Sequence, residues 1–121
     1  MHRALKLIEA FNRRDLDAFM ALTHVQIDVE SRLVALDGPE GLRRGWDSFL
    51  GAFRDYNLEV EELRDLGDVT LAQMRGRGRG ADSTPLLDFV WIPMRWRDGK
   101  LIWWRTCSTE ADALVAVGHS E

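Results

Sequence analysis

Residues 86–108 read LLDFVWIPMRWRDGKLIWWRTCS, and this stretch decides the fold. Two apolar runs, Leu86 to Trp96 and Leu101 to Ser108, flank Arg97-Asp98-Gly99-Lys100. Asp98-Gly99 between two apolar runs is the clearest hairpin signal in the chain. Strand parity puts Asp88, Val90, Ile92, Met94 and Trp96 on one face, and Phe89, Trp91, Pro93, Arg95 and Arg97 on the other. Trp103 and Trp104 are neighbours and so point to opposite faces. Both faces of the hairpin are therefore apolar. One can bury against helices; the other needs a second cover. A partner sheet is the simplest cover, which predicts a homodimer through the sheet face.

Working upstream, Leu58 to Leu66 and Val69 to Gly80 read as two more strands around a tight turn at Gly67-Asp68. Before them, Leu42, Trp46, Phe49, Leu50 and Phe53 recur at helical spacing after the turn Asp37-Gly38-Pro39-Glu40. Three of these five residues are aromatic, so the helix needs a large partner surface. Val25 to Glu30 alternates strictly, which predicts a strand with Val25, Ile27 and Val29 on the buried face. By parity Ser31 continues that face. At the N-terminal end, Ala4, Leu5, Ile8 and Phe11 form one helical stripe. Asn12-Arg13-Arg14-Asp15 breaks it, and Asp15 caps a short second helix carrying Leu16, Phe19 and Met20. Downstream of the hairpin, Thr109 caps a final helix that stops at Gly118. Helices first and strands gathered after them predict an α+β fold with a mainly antiparallel sheet.

The composition agrees with a globular protein. The 121 residues are 45% apolar and 30% charged, which predicts one domain over residues 1–121. A net charge of −4 disfavours a dedicated nucleic-acid binder. One cysteine, Cys107, permits no internal disulfide and fits a reducing, cytoplasmic compartment. No apolar run reaches membrane-span length, and the N-terminal segment reads as amphipathic rather than as a signal peptide.

Four stretches together resemble the NTF2-like superfamily and, within it, the SnoaL-like proteins. Ala10-Phe11-Asn12-Arg13-Arg14-Asp15-Leu16-Asp17-Ala18 is similar to that family's first helix junction. Asp28-Val29-Glu30 resembles its first strand, with Ser31 in place of an aromatic residue. Arg75-Gly76-Arg77-Gly78-Arg79-Gly80 resembles a later strand. Arg97-Asp98-Gly99-Lys100-Leu101, followed by Glu110 to Gly118, resembles its closing hairpin and helix. The resemblance implies a conical α+β barrel, with a bent sheet wrapped around the N-terminal helices and a pocket at the open end. It also implies pairing of sheets in homodimers. Relatives in the superfamily include ketosteroid isomerases, polyketide cyclases, epoxide hydrolases, dehydratases and binding modules, so the fold does not name a function.

The enzyme branches leave footprints that can be checked. Against the steroid isomerase pattern, the tyrosine falls at Leu7, the base at Ser31, and the second acid at Trp91 or Ile92. None of these side chains is an acid or base. The epoxide hydrolase relay resembles Trp104-Arg105-Thr106, with Thr106 where an aspartate is needed. Asp88 is the remaining acid–base candidate. It reads either as a partly buried general base or as a solvated strand-end acid paired with an arginine, which is the commoner fate. Glu30 alternates toward the outer face. Ser31 has no neighbouring histidine to activate it. His24 is either a pocket-mouth residue or a group favoured at a helix C-terminus. No spacing resembles a metal site, and no cofactor is implied. Arg75, Arg77 and Arg79 read as a charged strand face, while Gly76, Gly78 and Gly80 let a ring or backbone approach.

These readings converge on an apolar pocket lined by Leu7, Phe11, Ser31, Trp46, Phe49, Phe53, Val90 and Ile92, which takes a small apolar or aromatic molecule. The alternative is an isomerase, cyclase or lyase that uses Asp88 as its acid–base residue.

Overall fold

The computed structural model describes residues 2–30, 35–52, 55–79 and 85–119; the side chains at 2, 50, 52, 79, 85–88 and 119 fall outside that description. The chain begins with two helices, α1 (His2–Asn12) and α2 (Leu16–Ala21). Arg14, at φ 61°, turns the corner between them. The Asp15 carboxylate accepts from the Ala18 N–H at 3.0 Å, as an N-cap should. Ala4, Leu7, Ile8 and Ala10 on α1 and Phe19 on α2 are buried, so each helix presents one apolar side to the core.

Strand β1 (Thr23–Glu30) follows, then a short β2 (Ala35–Asp37) and helix α3 (Gly38–Ala52). The alternation expected for β1 holds only in part. Ile27 is buried and Val29 half-buried, but Val25 is 74% exposed. The reason lies in the pairing with the last strand. Thr23 sits opposite Leu101 and Asp28 opposite Trp103, so four residues of β1 face one on its neighbour. Val25 lies in this bulge, off the ladder. Strand β2 was not expected from the sequence. Three residues are too short for a periodic signal, and they pair antiparallel only because β1 is there to receive them.

Four long strands complete the sheet: β3 (Asn57–Asp65), β4 (Val69–Arg79), β5 (Pro85–Arg97) and β6 (Lys100–Arg105). Asp98 and Gly99 both have positive φ, 54° and 76°, which fits the tight β5–β6 turn. Strand β6 stops at Arg105 rather than reaching Ser108. Beyond it, the Thr106 N–H still donates to the Glu30 carbonyl on β1, and Cys107 exchanges two backbone hydrogen bonds with Trp91. The six-stranded order is β2-β1-β6-β5-β4-β3, with β1 and β6 parallel and the other pairs antiparallel. The sheet does not close: β2 and β3 are its two edges. Bulges near Glu61 and between Arg95 and Trp96 bend it.

The inner face carries Leu58, Ala72, Met74, Val90, Ile92, Met94 and Leu101, all buried with α1, α2 and α3 residues in one core. The outer face was expected to need a partner sheet. Much of its cover comes from within the chain. The final helix α4 (Glu110–His119) crosses this face. Arg64 reaches the Glu110 carboxylate at 2.6 Å, and Arg95 donates to the Val117 carbonyl at 3.3 Å. Thr109 Oγ1 accepts from the Asp112 N–H, as expected, but the helix runs one residue past Gly118. Arginines lie over the remaining outer rings: Arg64 over Trp91, Arg75 over Phe89, and both Arg95 and Arg105 over Trp103. Phe89 nonetheless stays 59% exposed.

Candidate functional site

The site is built from the α1–α2 junction outward. Asn12 uses both ends of its side-chain amide on one residue of β3. Nδ2 donates to the Leu58 carbonyl and Oδ1 accepts from the Leu58 N–H, each at 2.9 Å. A side chain thus imitates a neighbouring strand on part of an otherwise open edge. Two residues on, Arg14 Nη1 donates to the Phe11 carbonyl at 3.0 Å, and Nη2 donates to the Tyr56 carbonyl. Burial lowers the pKa of the Arg14 guanidinium, against the opposing charge of Asp55. Together Asn12 and Arg14 fix where β3 begins.

That clamp positions a cluster of rings over the inner face. Phe11 meets Trp46 edge-on at 5.6 Å and Phe49 at 6.3 Å; Phe19 meets Trp46 at 5.1 Å. Tyr56 stands nearly perpendicular to Phe49 at 5.1 Å and to Phe11 at 6.3 Å. Such edge contacts are the favoured arrangement for aromatic quadrupoles. The Tyr56 ring then lies on β4, where a Cβ at Gly76 would overlap Tyr56 Oη and Cζ. A Cβ at Gly78 would stand 2.7 Å from Tyr56 Cα. The two glycines open the slot that the ring fills, the role foreseen for them as places of close approach.

The expected lining residues fall into three groups. Phe11, Trp46 and Phe49 are half-buried, and Phe11 touches both of the others. Leu7, Val90 and Ile92 are deeper, buried in the core. Ser31 and Phe53 lie outside the described residues. Asp88 is on β5 opposite Gly76, and its side chain is outside the description. The sequence reading missed Tyr56, Asn12 and Arg14. Tyr56 is the chain's one tyrosine, and Asn12 and Arg14 lie in the junction motif, so a signal existed for each.

Other candidate groups lie elsewhere or have structural partners. Arg105 pairs with Asp28 at 3.1 Å and with Glu30 at 3.6 Å on the outer face. Trp104 Nε1 donates to Thr106 Oγ1 at 3.1 Å. His24 Nδ1 accepts from the Gln26 N–H at 3.0 Å, which ties the ring to its own strand. Arg75 pairs with Glu61 at 2.9 Å and Arg77 with Glu59 at 3.3 Å. Among the described residues, no group of three or more His, Cys, Asp or Glu is placed to hold a metal ion. No described helix is long and apolar enough to cross a membrane.

An open bent sheet over N-terminal helices, with aromatic rings on its inner face, defines an NTF2-like protein. The family model of the SnoaL-like domain matches residues 4–104, and the chain belongs to that family. Solved structures show the same fold at low identity. An NTF2-like protein of unknown function from Burkholderia pseudomallei superposes with a TM-score of 0.83 at 14% identity, covering 95% of this chain and 94% of that one. TerC, co-crystallised with polyporic acid, gives 0.81 at 14% identity, covering 98% and 94%. IdmH from Streptomyces antibioticus, a candidate polyketide cyclase, gives 0.75 at 21% identity, covering 97% and 96%. No curated protein matches the chain.

Proposed function

We propose that the protein binds a small apolar or aromatic molecule on the inner face of its sheet. Phe11, Trp46 and Phe49 form the wall in this reading, with Leu7, Val90 and Ile92 beneath; Ser31 and Phe53 extend the lining. The observation that carries the reading is the half-buried state of three rings, Trp46 and Phe49 each packed on Phe11, above an apolar floor. Rings in a closed core would be expected to bury as deeply as Leu7 and Met74 do. TerC, which has the same fold, has been co-crystallised with polyporic acid, in keeping with a small-molecule ligand. The test is a titration with a polycyclic aromatic probe, 9-fluorenone, followed by amide chemical shifts. Shifts should cluster at Phe11, Trp46 and Phe49, and Trp46→Ala should weaken binding at least about tenfold. Shifts confined to the outer face, or no saturable binding, would overturn the reading.

A second reading adds chemistry to the same site. Asp88 sits directly across from Gly76, the strand position against which the Tyr56 hydroxyl lies. In this second reading Asp88 abstracts a proton from a bound carbonyl compound, the step shared by isomerases and cyclases. In deuterium oxide the protein would then accelerate exchange of the α-protons of 2-tetralone. Asp88→Asn should abolish that exchange and leave fluorenone binding intact; equal exchange by both forms would remove Asp88 as the base.

A further inference from the structure

We propose that Thr106, held by Trp104, is a specificity-determining residue of this site: its hydroxyl donates a hydrogen bond to a carbonyl oxygen on the bound molecule. The inference rests on the ligand-binding reading above and adds a polar group to its ligand. The hydroxyl belongs to the inner face. Arg105 reaches Asp28 on the outer face, and the Thr106 N–H keeps the ladder to β1 by donating to the Glu30 carbonyl, so the Thr106 side chain alternates inward. Trp91 pairs with Cys107 and Met94 with Trp104. That constant register sets Thr106 across from Ile92, on the floor of the proposed site. Trp104 packs against the inner core beside its β1 partner Val29, and its Nε1 donates to Thr106 Oγ1 at 3.1 Å.

The indole N–H takes one lone pair of the hydroxyl and fixes where the oxygen sits. A threonine hydroxyl also has a proton to give. Among the described residues nothing accepts it. Accepting from the indole polarises the O–H and strengthens it as a donor. A second pair of the same kind shows what sets this one apart. Trp96 Nε1 donates to Thr70 Oγ1 at 3.1 Å, but both of those residues are buried. Trp104 and Thr106 are half-buried, so a molecule lying over Ile92 can reach the hydroxyl. Val90 and Ile92 beside it have no hydrogen-bonding side chain. A donor on such a floor discriminates between ligands that differ by one oxygen, since the ligand without it leaves the donor unpaired. The ligand class is therefore a carbonyl compound with an apolar skeleton rather than a bare hydrocarbon.

The experiment compares 9-fluorenone with fluorene, which share a skeleton and differ at the carbonyl. Calorimetry gives both affinities for the wild type, Thr106→Val and Thr106→Ser. The ratio of fluorenone to fluorene affinity should fall about tenfold in Thr106→Val and be kept in Thr106→Ser, which restores the hydroxyl. Taking the ratio between variants cancels the different hydration of the two probes. The carbonyl stretch of fluorenone bound to the wild type should lie below its position in an apolar solvent. If fluorene binds but the ratio is the same in Thr106→Val, or the stretch is unshifted on the wild type, the role of Thr106 is overturned while the pocket stands. The stretch needs no variant, so the outcome does not depend on Thr106→Val folding. If the wild type binds neither probe, the pocket reading itself falls and this inference falls with it.

Discussion

Gly76 illustrates how one missing side chain sets the geometry around it. Its Cβ would occupy the space of Tyr56 Oη and Cζ, and the tyrosine cannot yield because Phe11 and Phe49 hold its ring edge-on. Gly76→Ala should therefore destabilise by about 2 kcal/mol, as overpacking does. Urea denaturation would show this as a lower midpoint at unchanged slope; an unmoved midpoint would mean the ring has another place to go. Cys107 makes a second point at this scale. Burial raises the pKa of its thiol, with Asp112 adding to that effect, Arg105 opposing it and Glu30 adding to it. The folded protein thus disfavours the thiolate more than the unfolded chain does. Below the thiol's ordinary range both states hold the proton and the group contributes no pH dependence. As pH rises from that range toward the raised folded value, stability falls. Cys107→Ser should flatten the decline in unfolding free energy above about pH 8. Identical pH profiles for the two proteins would discount the effect.

Among the elements, the α1–α2 junction has the widest reach. Asn12 and Arg14 sit where the helix ends, yet their hydrogen bonds fall on β3 and on the residue just before it, 42 to 46 positions away in sequence. The junction therefore couples the helical hairpin to the sheet edge and, through Tyr56, to the ring cluster. Asn12→Ala removes both hydrogen bonds to Leu58 and leaves a part-buried N–H and C=O to find other partners. A loss of about 2 kcal/mol is expected. Hydrogen exchange at the Leu58 amide should quicken more than that at Met74 in the sheet interior; equal acceleration at both would indicate global destabilisation instead. The closing hairpin needs no such help. Asp98 and Gly99 supply the turn themselves, which is why its position could be read from four residues.

For the whole molecule, the open question is the outer face. A partner sheet would be required if both apolar faces of the Trp-rich hairpin were bare. The fold covers Trp91, Pro93 and Trp103 with α4 and with arginine side chains, and leaves Phe89 beside Arg75. A second copy docking there would bury the remaining apolar surface. Light scattering should give a particle of twice the 13.9 kDa chain mass, and Phe89→Glu should return it to the single chain. A wild-type particle of one chain mass would show that α4 and the arginines suffice as cover.

Local signals were enough for much of this protein. Helical spacing placed α1 and α3, the Asp15 cap placed α2, and Asp98-Gly99 placed the hairpin, because each depends on residues a few positions apart. Gly76 and Gly78 could even be assigned a role, though not an occupant. Contacts between distant segments decided the rest. The bulge that exposes Val25 exists only against β6, the short β2 only against β1, and the cover of the outer face only once α4 crosses it. The ring cluster with Tyr56 at its floor likewise forms when four separate segments meet. Periodicity along a chain records which side of an element is apolar; which partner covers that side is set by packing in three dimensions.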